Sequence, residues 1–150
     1  MADYPADLSG LDILKGCLDG TIPTVTGLHE TLGIRMVEVG EGCCVFEGAP
    51  SESHRNPHGT IHGGWAASIL DGVMGLAVFS CQPPGQMSAT ATLEIKTMRP
   101  LAIGETYRAE ANVLRAGRSL AHVEGRLVHT ESGKLVATGT STYAVFPRPA

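Results

Sequence analysis

The amino-acid sequence predicts an α+β fold, an antiparallel sheet of about six strands wrapped round one long apolar helix over about residues 63–79. Three observations carry this expectation. Between Trp65 and Phe79, the residues Ala66, Ala67, Ile69, Leu70, Val73, Met74, Leu76, Ala77 and Val78 leave a helix almost no polar side, so it should be buried all round. Segments of strand-like alternation stand on both sides of it in the chain. Turn residues separate those segments, and glycine, at 19 of 150 residues, is nearly twice its average share of about 7%.

The elements follow in order. Ser9 can cap a short helix, with Asp12 three residues on and Ile13, Leu14 and Leu18 beyond it. Residues 34–39, a Gly40-Glu41-Gly42 turn and residues 43–48 read as a hairpin. Residues 51–61 hold Pro57 and Gly59 among polar side chains and must form a loop, after which the helix should begin near Gly63. Past the Pro83-Pro84-Gly85 break, strands are expected over 88–98, 105–114, 119–129 and 135–146, with turns at 100–104, Ala116-Gly117 and Ser132-Gly133. In the third of these, Ala121, Val123, Gly125 and Leu127 share one face and His122, Glu124 and Arg126 the other, the pattern of an antiparallel strand covered on one side. The same simple alternation groups Thr90 with Thr92 and Glu94, opposite Ala89, Ala91, Leu93 and Ile95. Without a repeat or a second domain, residues 1–150 read as a single domain whose first 30 residues carry no motif.

Composition narrows the function classes. A hydrophobic content of 43% gives material for a real core and excludes disorder as the main state. With 11 Lys and Arg against 15 Asp and Glu, a net charge of −4 and no basic run, neither nucleic acid nor a membrane is an expected partner. The start Met1-Ala2-Asp3-Tyr4-Pro5 has neither the basic beginning nor the apolar stretch of a secretory leader, and no segment is expected to span a membrane. Cys17, Cys43, Cys44 and Cys81 include an adjacent pair that is geometrically poor for a disulfide, and the rest lack CxxC spacing. They read as reduced thiols of a cytoplasmic protein, with no structural zinc.

The chemistry concentrates around one carboxylate. From Asn56 to Leu93, a stretch of 38 residues, Asp71 is the single formally charged side chain, and it sits within the apolar helix. A solvent-facing aspartate would be the ordinary alternative, but its neighbours one turn away are Ala67, Ser68, Met74 and Gly75, with no Lys or Glu among them. A carboxylate in such surroundings has to be hydrogen-bonded or functional, because burying it unpaired is costly. Ahead of it, Asn56-Pro57-His58-Gly59-Thr60-Ile61-His62-Gly63-Gly64 delivers two glycines to the start of the helix. There the unsatisfied N–H groups and the positive end of the helix dipole can meet an oxygen that becomes negative, although glycines that merely permit a tight loop would look the same.

This loop, followed by Asp71 nine residues after His62, resembles the hotdog-fold acyl-CoA thioesterases, particularly the branch with phenylacetic-acid-pathway and 4-hydroxybenzoyl-CoA thioesterases. Thr90-Ala91-Thr92-Leu93-Glu94-Ile95 leading to Met98-Arg99-Pro100, then Gly117-Arg118-Ser119 and Ser132-Gly133-Lys134-Leu135-Val136-Ala137, are similar to later parts of that family. The resemblance implies hydrolysis of a small aromatic or short- to medium-chain acyl-CoA to free acid and CoA, without a metal or other cofactor. It implies Asp71 as nucleophile or general base, Gly63 as the N–H that polarises the thioester carbonyl, His62 as the residue shaping that loop, Asn56 as an aid in placing water or carbonyl, and Thr90 near the attacking water. Gly64, Arg99, Arg118, Ser119 and Arg148 are its candidates for substrate and CoA contacts, in a chain with eight arginines and three lysines.

The resemblance also implies a homodimer at least, with a homotetramer as the larger assembly, and helix geometry points the same way. Gly63 and Asp71 are eight residues apart, ~12 Å along a helix, too far for both to act on one carbonyl. Two other readings stay open: an acyl-thioester dehydratase or hydratase on the same fold, and a non-catalytic acyl-CoA sensor. A metal site from His54, His58 and His62 is disfavoured, because Pro57 and Gly59 prevent the helix that would align them.

Overall fold

Ser9 starts the first helix as its position suggests. In the computed structural model, which describes residues 4–24 and 27–148, its hydroxyl accepts the Asp12 N–H at 3.2 Å and caps α1 (Gly10–Asp19). The Met1–Asp3 start, on which the expectation of no leader rests, lies outside the described residues. Ile13 and Leu14 are buried, and Gly20 ends the helix in the left-handed region at φ 83°. A second helix, α2 (Leu28–Leu32), was not legible in the sequence: it has five residues, no side-chain cap and no buried position.

Six strands form one antiparallel sheet: β1 (Ile34–Gly40), β2 (Cys43–Gly48), β3 (Gln86–Thr97), β4 (Tyr107–Ala116), β5 (Leu120–His129) and β6 (Leu135–Pro147). Their spatial order is β1-β2-β4-β5-β6-β3, which leaves β1 and β3 at the edges. The expected strands are all present with ends moved by one or two residues. In β5 the expected alternation holds from Ala121 to Leu127. In β3 it does not, because the pairing register slips between Thr90 and Thr92, and a bulge at Ala91 puts Thr90 on the same side as Ile95. All four cysteines are free; burial pushes the Cys44 thiol up to about 12 and keeps it protonated.

The long helix, α3 (Gly63–Ser80), lies against all six strands. It can approach the sheet closely because small residues face it: a Cβ at Gly125 would stand 3.1 Å from Met74, and one at Gly139 would stand 3.0 Å from the same side chain. Its 18 residues have a mean hydropathy of 1.3, enough by length and composition for a membrane span, yet they form the centre of the core. Burial is not complete all round. Ala67, Ser68, Asp71, Gly72, Gly75, Leu76 and Phe79 make a half-buried stripe at helical spacing, where the curled sheet does not close.

The end of α3 is held by α1. Gly10 N–H donates to the Gln82 carbonyl at 2.9 Å, and a Cβ at Gly10 would lie 1.8 Å from the Phe79 carbonyl oxygen. Gly10→Ala should therefore push α1 off α3 and lower stability by about 1–3 kcal/mol or more, as overpacking does. Urea unfolding checks this; a midpoint equal to that of the parent would show that α1 is not docked this tightly.

Candidate active site

The half-buried stripe of α3 places Asp71 beside β3 and β6, and both strands supply a hydroxyl to it. Thr90 Oγ1 donates to Asp71 Oδ1 at 3.0 Å. The Tyr143 hydroxyl lies 3.1 Å from Oδ1 and 2.9 Å from the Asp71 backbone oxygen, so its one proton is shared between them. Burial above all, with the charge of Asp71 beside it, pushes the Tyr143 phenol well above its ordinary pKa and keeps it a donor. Oδ1 is thus anchored twice, whereas Oδ2 has no hydrogen-bond partner among the described residues.

The carboxylate opens on a cleft of about 280 Å³ that His29, Gly72, Gly75, Leu76, Ser88 and Thr90 help to line. Two glycines keep it open: a Cβ at Gly72 would stand 2.8 Å from His29 Nε2, and one at Gly75 would stand 3.2 Å from the Tyr143 hydroxyl. His29 makes an edge contact with Phe46, and burial lowers its pKa below that of an ordinary imidazole, against the opposing pull of the Asp71 charge. Sequence reasoning missed both Tyr143 and His29. Tyr143 stood on the covered face of the last strand, the one signal that could have pointed it at α3; His29 offered none.

The loop before α3 is built around Asn56. Its Oδ1 accepts the N–H groups of His58 at 2.9 Å and Thr60 at 3.2 Å, and its Nδ2 donates to Thr60 Oγ1 at 2.7 Å. Asn56 therefore shapes the loop, and its amide is engaged inside it. His62 is the N-cap of α3: its Nδ1 accepts the Gly64 N–H at 2.9 Å, and its backbone carbonyl takes that of Trp65. The N–H of Gly63 is left with no acceptor among the described residues, at an exposed helix start. Gly64, by contrast, spends its N–H on the His62 ring. His54, His58 and His62 do not converge, since the ring nitrogens of His54 face Ser51 N–H and the Thr31 carbonyl.

Asp71 and Thr90 come together in one subunit, and Gly63 stays two helical turns away. The arginines also divide. Arg118 and Ser119 lie at the β4–β5 turn, with Arg118 lining a hollow beside Gln82 and Gln86, and Arg148 follows β6 and donates to the Tyr4 carbonyl at 2.9 Å. Arg99 is past the other end of β3, where its guanidinium donates to the Leu135 carbonyl. Eleven residue steps of β3 separate the two ends, ~36 Å of extended chain.

A sheet curled round one helix, with a lone carboxylate on that helix and a bare N–H at its start, defines a class of hydrolases for thioesters. The thioesterase superfamily matches residues 58–137, and the chain belongs to it: it is a thioester hydrolase of the hotdog fold. Acyl-coenzyme A thioesterase 13 of Homo sapiens is 32% identical over 109 residues, 73% of this chain and 77% of that protein. A phenylacetic acid degradation-related protein from Ralstonia eutropha superposes with TM-score 0.78 at 30% identity, covering 88% of this chain and 98% of the other. Zebra fish thioesterase superfamily member 2 superposes at 0.74 with 27% identity, covering 91% and 98%.

If Oδ1 is the anchor and Oδ2 the working atom, removing an anchor should slow turnover without ending it. Tyr143→Phe should lower kcat about 2- to 13-fold, the value of one hydrogen bond of roughly 0.5–1.5 kcal/mol, with KM little changed. Steady-state kinetics of thioester hydrolysis would test this; an unchanged kcat would mean that the phenol does not position the carboxylate.

Proposed function

We propose that the protein hydrolyses acyl-CoA thioesters to the free acid and CoA in a site shared by two copies of the chain. The observation that carries this reading is the separation of two complementary groups on one rigid helix. Among the described residues, Asp71, fixed through Oδ1 by Thr90 and Tyr143, has no partner on Oδ2, and Gly63, ~12 Å along α3, has no acceptor for its N–H. Neither completes a site alone, because attacking group and carbonyl must come within ~3.5 Å.

In the proposed reaction Oδ2 either attacks the thioester carbonyl or takes a proton from the water that does. In both cases the carbonyl oxygen becomes an oxyanion on Gly63 N–H of the other copy, where the helix dipole adds to the hydrogen bond. Collapse breaks the carbon–sulfur bond: along the water route Asp71 returns its proton to the departing thiolate, and along the direct route CoA departs as the thiolate, one water then cleaves the acyl-aspartate, and the proton released on Asp71 converts the thiolate to the thiol. No metal or prosthetic group is required. The acyl-CoA relative supports the choice of substrate.

The exposed edge of β3 supports the pairing. It is a 12-residue strand with no paired strand on its outer side among the described residues, and such an edge invites another strand. Two-fold pairing of β3 with its copy runs antiparallel and carries Arg99 of each chain to the Gln86 end of the other, where Arg118 and Arg148 lie. That would gather basic residues from both chains for the CoA phosphates.

Mixed refolding provides the test. Asp71→Asn should cost at least ~10²-fold in kcat. Gly63→Pro deletes the N–H at a first helical position that accepts proline, after an extended residue (His62, φ −64°, ψ 133°) and with open space around it. Each should be inactive alone; co-refolded, about a quarter of parental activity should return, half of random dimers being hybrids with one intact site. Hybrids seen by native mass spectrometry without recovered activity would contradict the shared site.

A further inference from the structure

Three of the described residues that line the Asp71 cleft titrate: Asp71 itself, Tyr143 and His29. Tyr143 stays a donor, because burial pushes its phenol well above its ordinary pKa. That leaves His29 as the second base of the cleft. Its Nε2 lies over the bare Cα of Gly72, where a Cβ would stand 2.8 Å away, so the imidazole reaches the residue next to Asp71 only because residue 72 is glycine. The ring is propped against Phe46, with centroids 5.1 Å apart at 79°.

Neither ring nitrogen of His29 has a hydrogen-bond partner among the described residues, while every buried side-chain nitrogen and oxygen there has one, so both nitrogens meet open space. The other histidines differ. His54, His62, His122 and His129 each spend a ring nitrogen on a hydrogen bond, and His58 is exposed in the loop before α3.

A second base matters on one of the two routes of thioester hydrolysis. An Asp71 that attacks the carbonyl becomes a neutral acyl-aspartate, which can no longer activate the water that must follow. We infer that the reaction takes this direct route and that His29 is the base for its second step. As the water attacks the acyl carbon, one of its protons passes to His29 Nε2, and the oxyanion rests on Gly63 N–H of the other copy. Collapse then breaks the bond between the acyl carbon and Oδ2. The free acid leaves with the oxygen and second proton of the water, and the imidazolium gives its proton to Oδ2, from which the CoA thiolate takes it. Burial lowers the imidazole pKa against the pull of Asp71 and so favours the unprotonated ring with which this step begins. The inference rests on the acyl-CoA hydrolase reading and assigns one of its steps.

Turnover of hexanoyl-CoA and phenylacetyl-CoA by the full chain and by His29→Gln tests it. General acid–base help is worth about 10²–10⁴-fold, so even where the first step limits the parent, kcat should fall at least ~10-fold. The ratio kcat/KM, set by the first step, should stay within about threefold of the parent's. One CoA per subunit should appear in a burst, and after acid quench the protein should carry an acyl group that peptide fragmentation maps to Asp71. In His29→Ala, which leaves room for a free ring, added imidazole should restore kcat severalfold. A kcat within about twofold of the parent's, or a joint fall of kcat and kcat/KM with neither burst nor acylated protein, would overturn the inference and leave the hydrolase reading standing. Should His29→Gln fail to fold, His29→Ala decides: no acylated protein and no rescue by imidazole would overturn it. A parent that releases no CoA from either ester would overturn both.

Discussion

A helix with apolar side chains on nearly every side constrains everything around it: α3 has to be enclosed, and in this chain one six-stranded sheet curled over it does so. The inner face of that sheet is accordingly built from small residues where the helix comes closest, at Ala109, Ala111, Ala121, Gly125, Ala137 and Gly139. Closure is incomplete along a single stripe. Asp71 lies on that stripe, so the carboxylate is desolvated by the core on one side and open to a cleft on the other. The position that makes it usable is the same one that requires Thr90 and Tyr143 to hold it.

The site follows from what one chain provides and what it leaves unfinished. Among the described residues, Oδ1 accepts two hydroxyls, Oδ2 has no hydrogen-bond partner, and the N–H of Gly63 has no acceptor. His62 and Asn56 serve this by shape: one caps the helix through Gly64, the other ties the loop to itself through His58 and Thr60. In this account the edge strand β3 carries the two halves of the chemistry to each other. The proposed pairing would also bring together arginines that a single chain keeps at opposite ends.

What the sequence revealed was mostly local. The apolar run of α3, the Ser9 cap and the alternation of Ala121, Val123, Gly125 and Leu127 are written in consecutive residues, and so is the loop from Asn56 to Gly64. Asp71 stood out because nothing charged lies near it. Thr90 was misplaced by alternation because a bulge at Ala91 exchanges the faces of β3, and a single inserted residue has no periodic signature. Tyr143 reaches Asp71 across 72 positions, and such a pairing is set by the order of strands in the sheet.

The most direct measurement is a crystal structure of the Asp71→Asn variant with an acyl-CoA bound. The account predicts a thioester carbonyl carbon within ~3.5 Å of the residue 71 side chain of one chain, and its oxygen ~3 Å from the Gly63 nitrogen of another. A thioester gripped at both points by one chain, or lying away from residue 71, would contradict it.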